Sequence, residues 1–205
     1  MSIATQEQQT EDTGSLPIVV QLQPVVNLSD DQLCEFCQVN RDLRIERNAQ
    51  GELIIMPPAA SDMGDRNAEL TTQLRNWAKR DGSGKSFDSS AGFRLPNGAV
   101  RSPDAAWLRL ARWNALSAEE KKKFAPLCPD FVVELRSESD RLRTVQDKMR
   151  EYLDNGAELG LLIDPQRRRV YVYQRDREVE LLADPASVSC APVLPGFVLD
   201  LREIW

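Results

Sequence analysis

The 205-residue sequence contains no histidine. That absence excludes Ser-His-Asp and Cys-His nucleophiles, imidazole general bases and histidine-ligated zinc. No apolar run approaches the roughly 20 residues of a membrane span, and the first 15 residues hold no Lys or Arg to open a secretory signal. Net positive charge is missing too. With 26 Lys and Arg against 32 Asp and Glu, the formal charge is -6, so no global cationic field draws the chain to nucleic acid or a membrane surface. Cysteine is sparse, at Cys34, Cys37, Cys128 and Cys190. The setting expected from these absences is the cytoplasm, with reduced thiols and no membrane partner.

What remains for chemistry is carboxylates, lysine, thiols, hydroxyls or a cation that prefers oxygen ligands. Hydrophobic residues at 41% and charged residues at 28% describe an ordinary globular chain, long enough for one domain with a sizeable core. The acidity is uneven. Between Arg101 and Arg175, 15 Lys and Arg face 12 Asp and Glu, so the negative charge is concentrated elsewhere.

Residues 1–23 are polar and acidic at their start and read as a disordered or extended tail, leaving 24–205 as a single domain. Ser29-Asp30-Asp31-Gln32 is a capping box that opens a helix to about Val39. Segments 43–47 and 52–56 form a hairpin, and 62–80 a helix with Leu70, Leu74 and Trp77 on its apolar stripe. Strands are expected at 86–90, at 92–96 and as one run over 99–108, with a short helix from Ser117. The segment 129–137, PDFVVELRS, is the best central strand, followed by a helix over 140–155 stopped at Gly156. Strands at 159–164 and 169–174 come next. This order predicts an α+β fold, a mixed sheet flanked by helices.

Period-two alternation in PDFVVELRS turns Phe131, Val133 and Leu135 to one face and Val132, Glu134 and Arg136 to the other. An acid in the middle of a buried strand is costly unless paired. The preceding strand carries Asp104 within SPDAAW, again an acid in an apolar run. Two carboxylates on adjacent strands suit a hard divalent cation. Asp130, although it also follows a proline, lies four residues from Glu134 along one strand, about 13 Å at the usual rise, too far to share a metal. Lys148 sits near the apolar stripe of the next helix, where an ammonium would complement the two acids. Glu69 lies beside Leu70 on the long helix.

The capped helix, the hairpin, MPPAASDMGDRNAEL, SPDAAW, PDFVVELRS, DKMREYLDNGAELGLLIDP and LPGFVLDLREIW, in this order, resemble the putative restriction endonuclease family of the PD-(D/E)xK nuclease superfamily. The resemblance runs from about Asp30 to Trp205. It implies a restriction-endonuclease-like core and a Mg²⁺- or Mn²⁺-dependent endonuclease acting on DNA. Carried over residue by residue, it makes Asp104 and Glu134 the metal ligands, with the Leu135 carbonyl beside them, and Glu69 an auxiliary acid. The motif lysine is replaced by Arg136, which stays protonated and can hold a phosphate but cannot take a proton from water. The lysine role then passes to Lys148.

A competing reading is a catalytically weakened relative that binds nucleic acid or a protein partner; Arg136 and the acidic balance speak for it. Cys34 and Cys37 have C-x-x-C spacing, but no second pair exists, and helix packing explains them better than zinc or redox chemistry. Lys121-Lys122-Lys123 and Arg167-Arg168-Arg169 read as solvated turns. A homodimer is expected by analogy with small nucleases that cut both strands.

Overall fold

The computed structural model describes residues 16–205. The first half threads β1 (Ile18–Val20), α1 (Asp30–Val39), β2 (Arg44–Arg47), β3 (Leu53–Met56), α2 (Ser61–Asp81), β4 (Gly84–Asp88), β5 (Phe93–Arg94), β6 (Val100–Arg101), β7 (Ala105–Arg109) and α3 (Leu110–Ala115). The second half adds β8 (Phe131–Leu135), α4 (Leu142–Asp154), β9 (Leu159–Asp164), β10 (Arg169–Gln174), β11 (Glu180–Ala183), β12 (Ser187–Ser189) and β13 (Val198–Asp200). Six strands form the main sheet in the order β11-β10-β9-β8-β7-β4. It is mixed: β8 and β9 run parallel across the α4 crossover, and β7 and β8 run antiparallel. Five form a smaller sheet in the order β1-β3-β2-β6-β5.

Alternation along β8 sorts the core into two layers. Phe131, Val133 and Leu135 join Leu70, Leu74 and Trp77 of α2 on one face. Val132 joins Met149 and Tyr152 of α4 on the other. Helix α4 lies close because β9 carries Gly160, where an added Cβ would run into the Met149 methyl and touch Val132. That near approach sets the height of α4, and so of its polar edge, above β8. The α1 capping box forms through both of its hydrogen bonds, Ser29 Oγ accepting from the Gln32 amide and Gln32 Oε1 from the Ser29 amide.

The run expected over 99–108 is two strands rather than one. β6 belongs to the small sheet and β7 to the large one, and the chain changes sheets across Ser102-Pro103-Asp104. Pro103 has no N–H to contribute to a ladder, so pairing stops there. The segments expected at 86–90 and 92–96 also part company: β4 pairs with β7 and β5 with β6. The lysine-rich segment forms only a short 3₁₀ turn at Glu120–Lys122, preceded by the unforeseen α3. Residues 18–20, within the stretch assigned to the tail, pair with β3 as an edge strand; residues 1–15 of that tail lie outside the described residues. Among the described residues no helix is long and apolar enough to cross a membrane.

Candidate active site

The β7–β8 register pairs Ala105 with Val133, and one step further brings Asp104 opposite Glu134 with both side chains on the α4 face. Asp104 lies at the joint between the sheets, where its Oδ2 accepts the Leu135 amide at 2.8 Å. Its Oδ1 meets Arg44 Nη2 at 3.1 Å. Glu134 is buried under α4, whose Lys148 and Tyr152 stand one turn apart and both descend on it. Lys148 Nζ and the Tyr152 hydroxyl each lie 2.9 Å from Glu134 Oε1. Among the described residues no protein group donates to Oε2 of Glu134, which leaves that oxygen open to a ligand.

The small sheet supplies the other wall. Glu46 of β2, buried, holds Lys148 Nζ at 2.9 Å through Oε1, which also accepts the Ser102 amide at 2.9 Å. Its Oε2 takes Arg101 Nη1 at 3.1 Å, and Arg101 Nε continues to Glu151 of α4 at 2.6 Å. Lys148 is therefore clamped between a carboxylate from each sheet. Arg44, Glu46, Asp104, Glu134, Leu135 and Lys148 all border one cleft of about 1040 Å³.

Charge in the cleft is uneven. Burial, the Asp104 and Glu46 charges adding to it against the pull of Lys148, pushes the Glu134 carboxyl up to about 7. Burial acts the same way on Glu46, but Lys148, Arg101 and the Ser102 amide outweigh it and hold that carboxyl at about 2. On Lys148 burial pulls downward and the two glutamates overcome it, so the ammonium is held above its ordinary range. Burial and the same two acids raise the Tyr152 phenol, which stays a donor. A carboxyl raised chiefly by burial is drawn back to its charged form when a further cation is brought to it.

A divalent cation fits this donor set. The groups of Asp104 and Glu134 and the Leu135 carbonyl are all oxygens, as hard cations require, and the elevated Glu134 carboxyl lies beside an open Oε2. The protein's share is small, since among the described residues no three Asp, Glu or Cys side chains converge on one point. Two carboxylates and a carbonyl leave most coordination positions to water or substrate, the usual arrangement for magnesium.

The cleft thus gathers Asp104, Glu134, Leu135 and Lys148, but not Glu69 or Arg136. Glu69 is turned away: on α2 it stands about 200° around the helix from Asn67, which borders the cleft, and it accepts from the Gln73 amide at 3.0 Å. Arg136 is committed elsewhere, its Nη1 to Asp164 at 3.0 Å and its Nε to the Asp140 carbonyl at 3.0 Å. It staples the turn after β8 to the end of β9. Arg44, Glu46, Arg101 and Tyr152 are the members sequence reasoning missed. The signal for Glu46 was present in Arg44-Ile45-Glu46-Arg47, an acid in a strand whose hairpin partner is LIIM.

Fold and site together define a class of protein: an α+β, restriction-endonuclease-like core whose mixed sheet carries a buried acid and lysine cluster at the end of its central strands. The chain belongs to the Uma2 family, described as putative restriction endonuclease, whose model matches residues 30–202. Its fold is similar to the crystal structure, at 1.96 Å resolution, of a putative nuclease belonging to DUF820 from Anabaena variabilis ATCC 29413. That likeness has a TM-score of 0.67 at 18% sequence identity and covers 78% of this chain and 88% of that one. A search of the curated proteins finds no match.

Proposed function

We propose that the protein is a Mg²⁺- or Mn²⁺-dependent endonuclease that hydrolyses DNA phosphodiester bonds. The observation that carries this reading is Lys148 Nζ, 2.9 Å from Glu134, on the face where register puts Asp104 opposite Glu134. Asp104, Glu134 and the Leu135 carbonyl would hold the cation. Such a cation, when bound, lowers the pKa of a coordinated water and offsets charge on the phosphoryl oxygens.

The chain's own groups do the rest. Lys148, held protonated by two glutamates, donates: it orients the attacking water or a phosphate oxygen and takes no proton from either. Glu46 keeps that ammonium aimed across the cleft, and the Tyr152 hydroxyl fixes the Glu134 carboxylate so that Oε2 faces outward. Glu69 and Arg136 have no part in this reading, one being turned from the cleft and the other tied to Asp164. Cutting both strands of a duplex calls for a pair of copies, which sedimentation tests. The four cysteines, free among the described residues, suit a reducing cytoplasm.

The test is plasmid nicking with Mg²⁺ or Mn²⁺. Wild type should cut and Glu134→Ala should not. A wild type that binds DNA yet leaves the plasmid intact at every cation tried would replace this reading with that of a nuclease-fold binding module. The specific feature favouring that alternative is Arg136 where the strand lysine is expected; Lys148 meeting Glu134 from α4 weighs against it.

A further inference from the structure

Three cations border the cleft, and they are not held alike. Lys148 is fixed between Glu46 and Glu134, and Arg101 between Glu46 and Glu151. Arg44 has a single carboxylate partner among the described residues, Asp104. Its Nη2 also reaches the Ser102 carbonyl at 2.8 Å, while its Nε is buried with no acceptor among the described residues. Its side chain is 35% exposed, against 9% for Arg101 and 14% for Lys148. A guanidinium donor buried without an acceptor is costly, and this one stands beside the carboxylate proposed to hold a cation.

We propose that Arg44 is the phosphate-binding residue of this cleft, its guanidinium standing on Asp104 in the cation's place until a cation and a phosphodiester arrive together. With Asp104 Oδ1 given over to a cation, the guanidinium would keep its Nη2 bond to the Ser102 carbonyl and turn Nε and the Nη2 proton released by Asp104 to a phosphate oxygen pair. Substrate and cation then favour each other: each removes a contact that hinders the other. Arg136, the candidate for this task in the sequence, is held by Asp164 and does not border the cleft. This inference rests on the nuclease reading above.

Arg44 acting only as a structural counter-ion makes a different prediction, so the sign of two binding changes decides between them. The measurements are calorimetric titration of Mn²⁺ and anisotropy of a short fluorescent DNA duplex in Ca²⁺, on wild type, Arg44→Gln and Arg44→Lys. Losing the charge beside Asp104 should tighten Mn²⁺ about three- to tenfold in Arg44→Gln and weaken the duplex about tenfold. Arg44→Lys keeps the charge but loses the fork; its Mn²⁺ affinity should stay near wild type while duplex binding falls. Mn²⁺ binding in Arg44→Gln that is equal to or weaker than wild type, or duplex binding that is unchanged, overturns the proposal and leaves the nuclease reading standing. Absent Mn²⁺ heat in wild type overturns both.

Discussion

Asp104 and Asp130 each follow a proline, each is largely buried, and they reach opposite ends of β8. At the N-terminal end, Asp130 is closed off by cations. Its Oδ1 takes Arg109 Nη1 at 2.6 Å and Arg112 Nη1 at 2.8 Å, and its Oδ2 the Arg109 amide at 2.8 Å. Arg109 grips Glu158 with both terminal nitrogens, at 2.7 and 2.6 Å. Two acids meet two arginines, and every strong group is answered. At the C-terminal end the network joins Glu46, Asp104, Glu134 and Glu151 to Arg44, Arg101 and Lys148. Acids outnumber cations there, and burial, with the Asp104 and Glu46 charges adding to it, pushes the Glu134 carboxyl up to about 7. A buried acid with enough partners is a lock; a buried acid short of them is a place for a ligand.

Substitutions can break that contrast. The largest effect expected is at the surplus end, where Glu134→Ala should abolish nicking and Glu134→Gln should do so without lowering the melting temperature. Lys148→Ala should reduce the nicking rate about hundredfold or more and also lower stability, because Glu46 and Glu134 lose a shared buried cation. A Lys148→Ala protein that cuts like wild type would remove the lysine from the mechanism. At the locked end the pattern reverses. Asp130→Asn should cost about 2 kcal/mol by chemical denaturation, discounted because Arg109 and Arg112 are partly exposed, and leave the cutting rate of the folded protein nearly unchanged.

The two glutamates should also give the cation-free protein a stability profile with two limbs. Glu46 has its folded value depressed to about 2, so its contribution is present above the ordinary glutamate range and is lost as the pH falls toward 2. Glu134 is raised to about 7, so its contribution is present below that range and fades as the pH rises through 7. Denaturation across pH should show the upper limb flattened in Glu134→Gln and retained in Asp130→Asn. The smallest effect is mechanical. Gly160→Ala crowds the flexible end of Met149 and should cost about 1 kcal/mol, with a modest loss of nicking as α4 lifts Lys148 from the cleft.

The features legible in the sequence were those fixed by local periodicity and capping. Alternation in 131–135 told which face Glu134 takes, and the stripe of α4 put Lys148 beside it. Hidden features depended on pairing between distant segments. Nothing local says that β4 joins the strand beyond Pro103 rather than its neighbour β5, because strand partners are chosen by the whole sheet. Glu46 escaped for the same reason: its apolar hairpin partner was visible, but Arg101, Ser102 and Lys148, which close around it, are distant in sequence. The tie of Arg136 to Asp164, 28 residues away, was not visible locally, and adjacency to a core leucine does not say which way Glu69 turns.

The sheet-changing step at Pro103 has a spectroscopic consequence. Where a regular strand would offer a main-chain carbonyl, the Leu135 amide is met by the side chain of Asp104. One rung of the main sheet is thus made by a group that can be drawn toward a ligand. The Leu135 amide proton should therefore act as a built-in reporter, its chemical shift and exchange rate following occupancy of the cleft, while the Phe131 amide at the far end of β8 changes little.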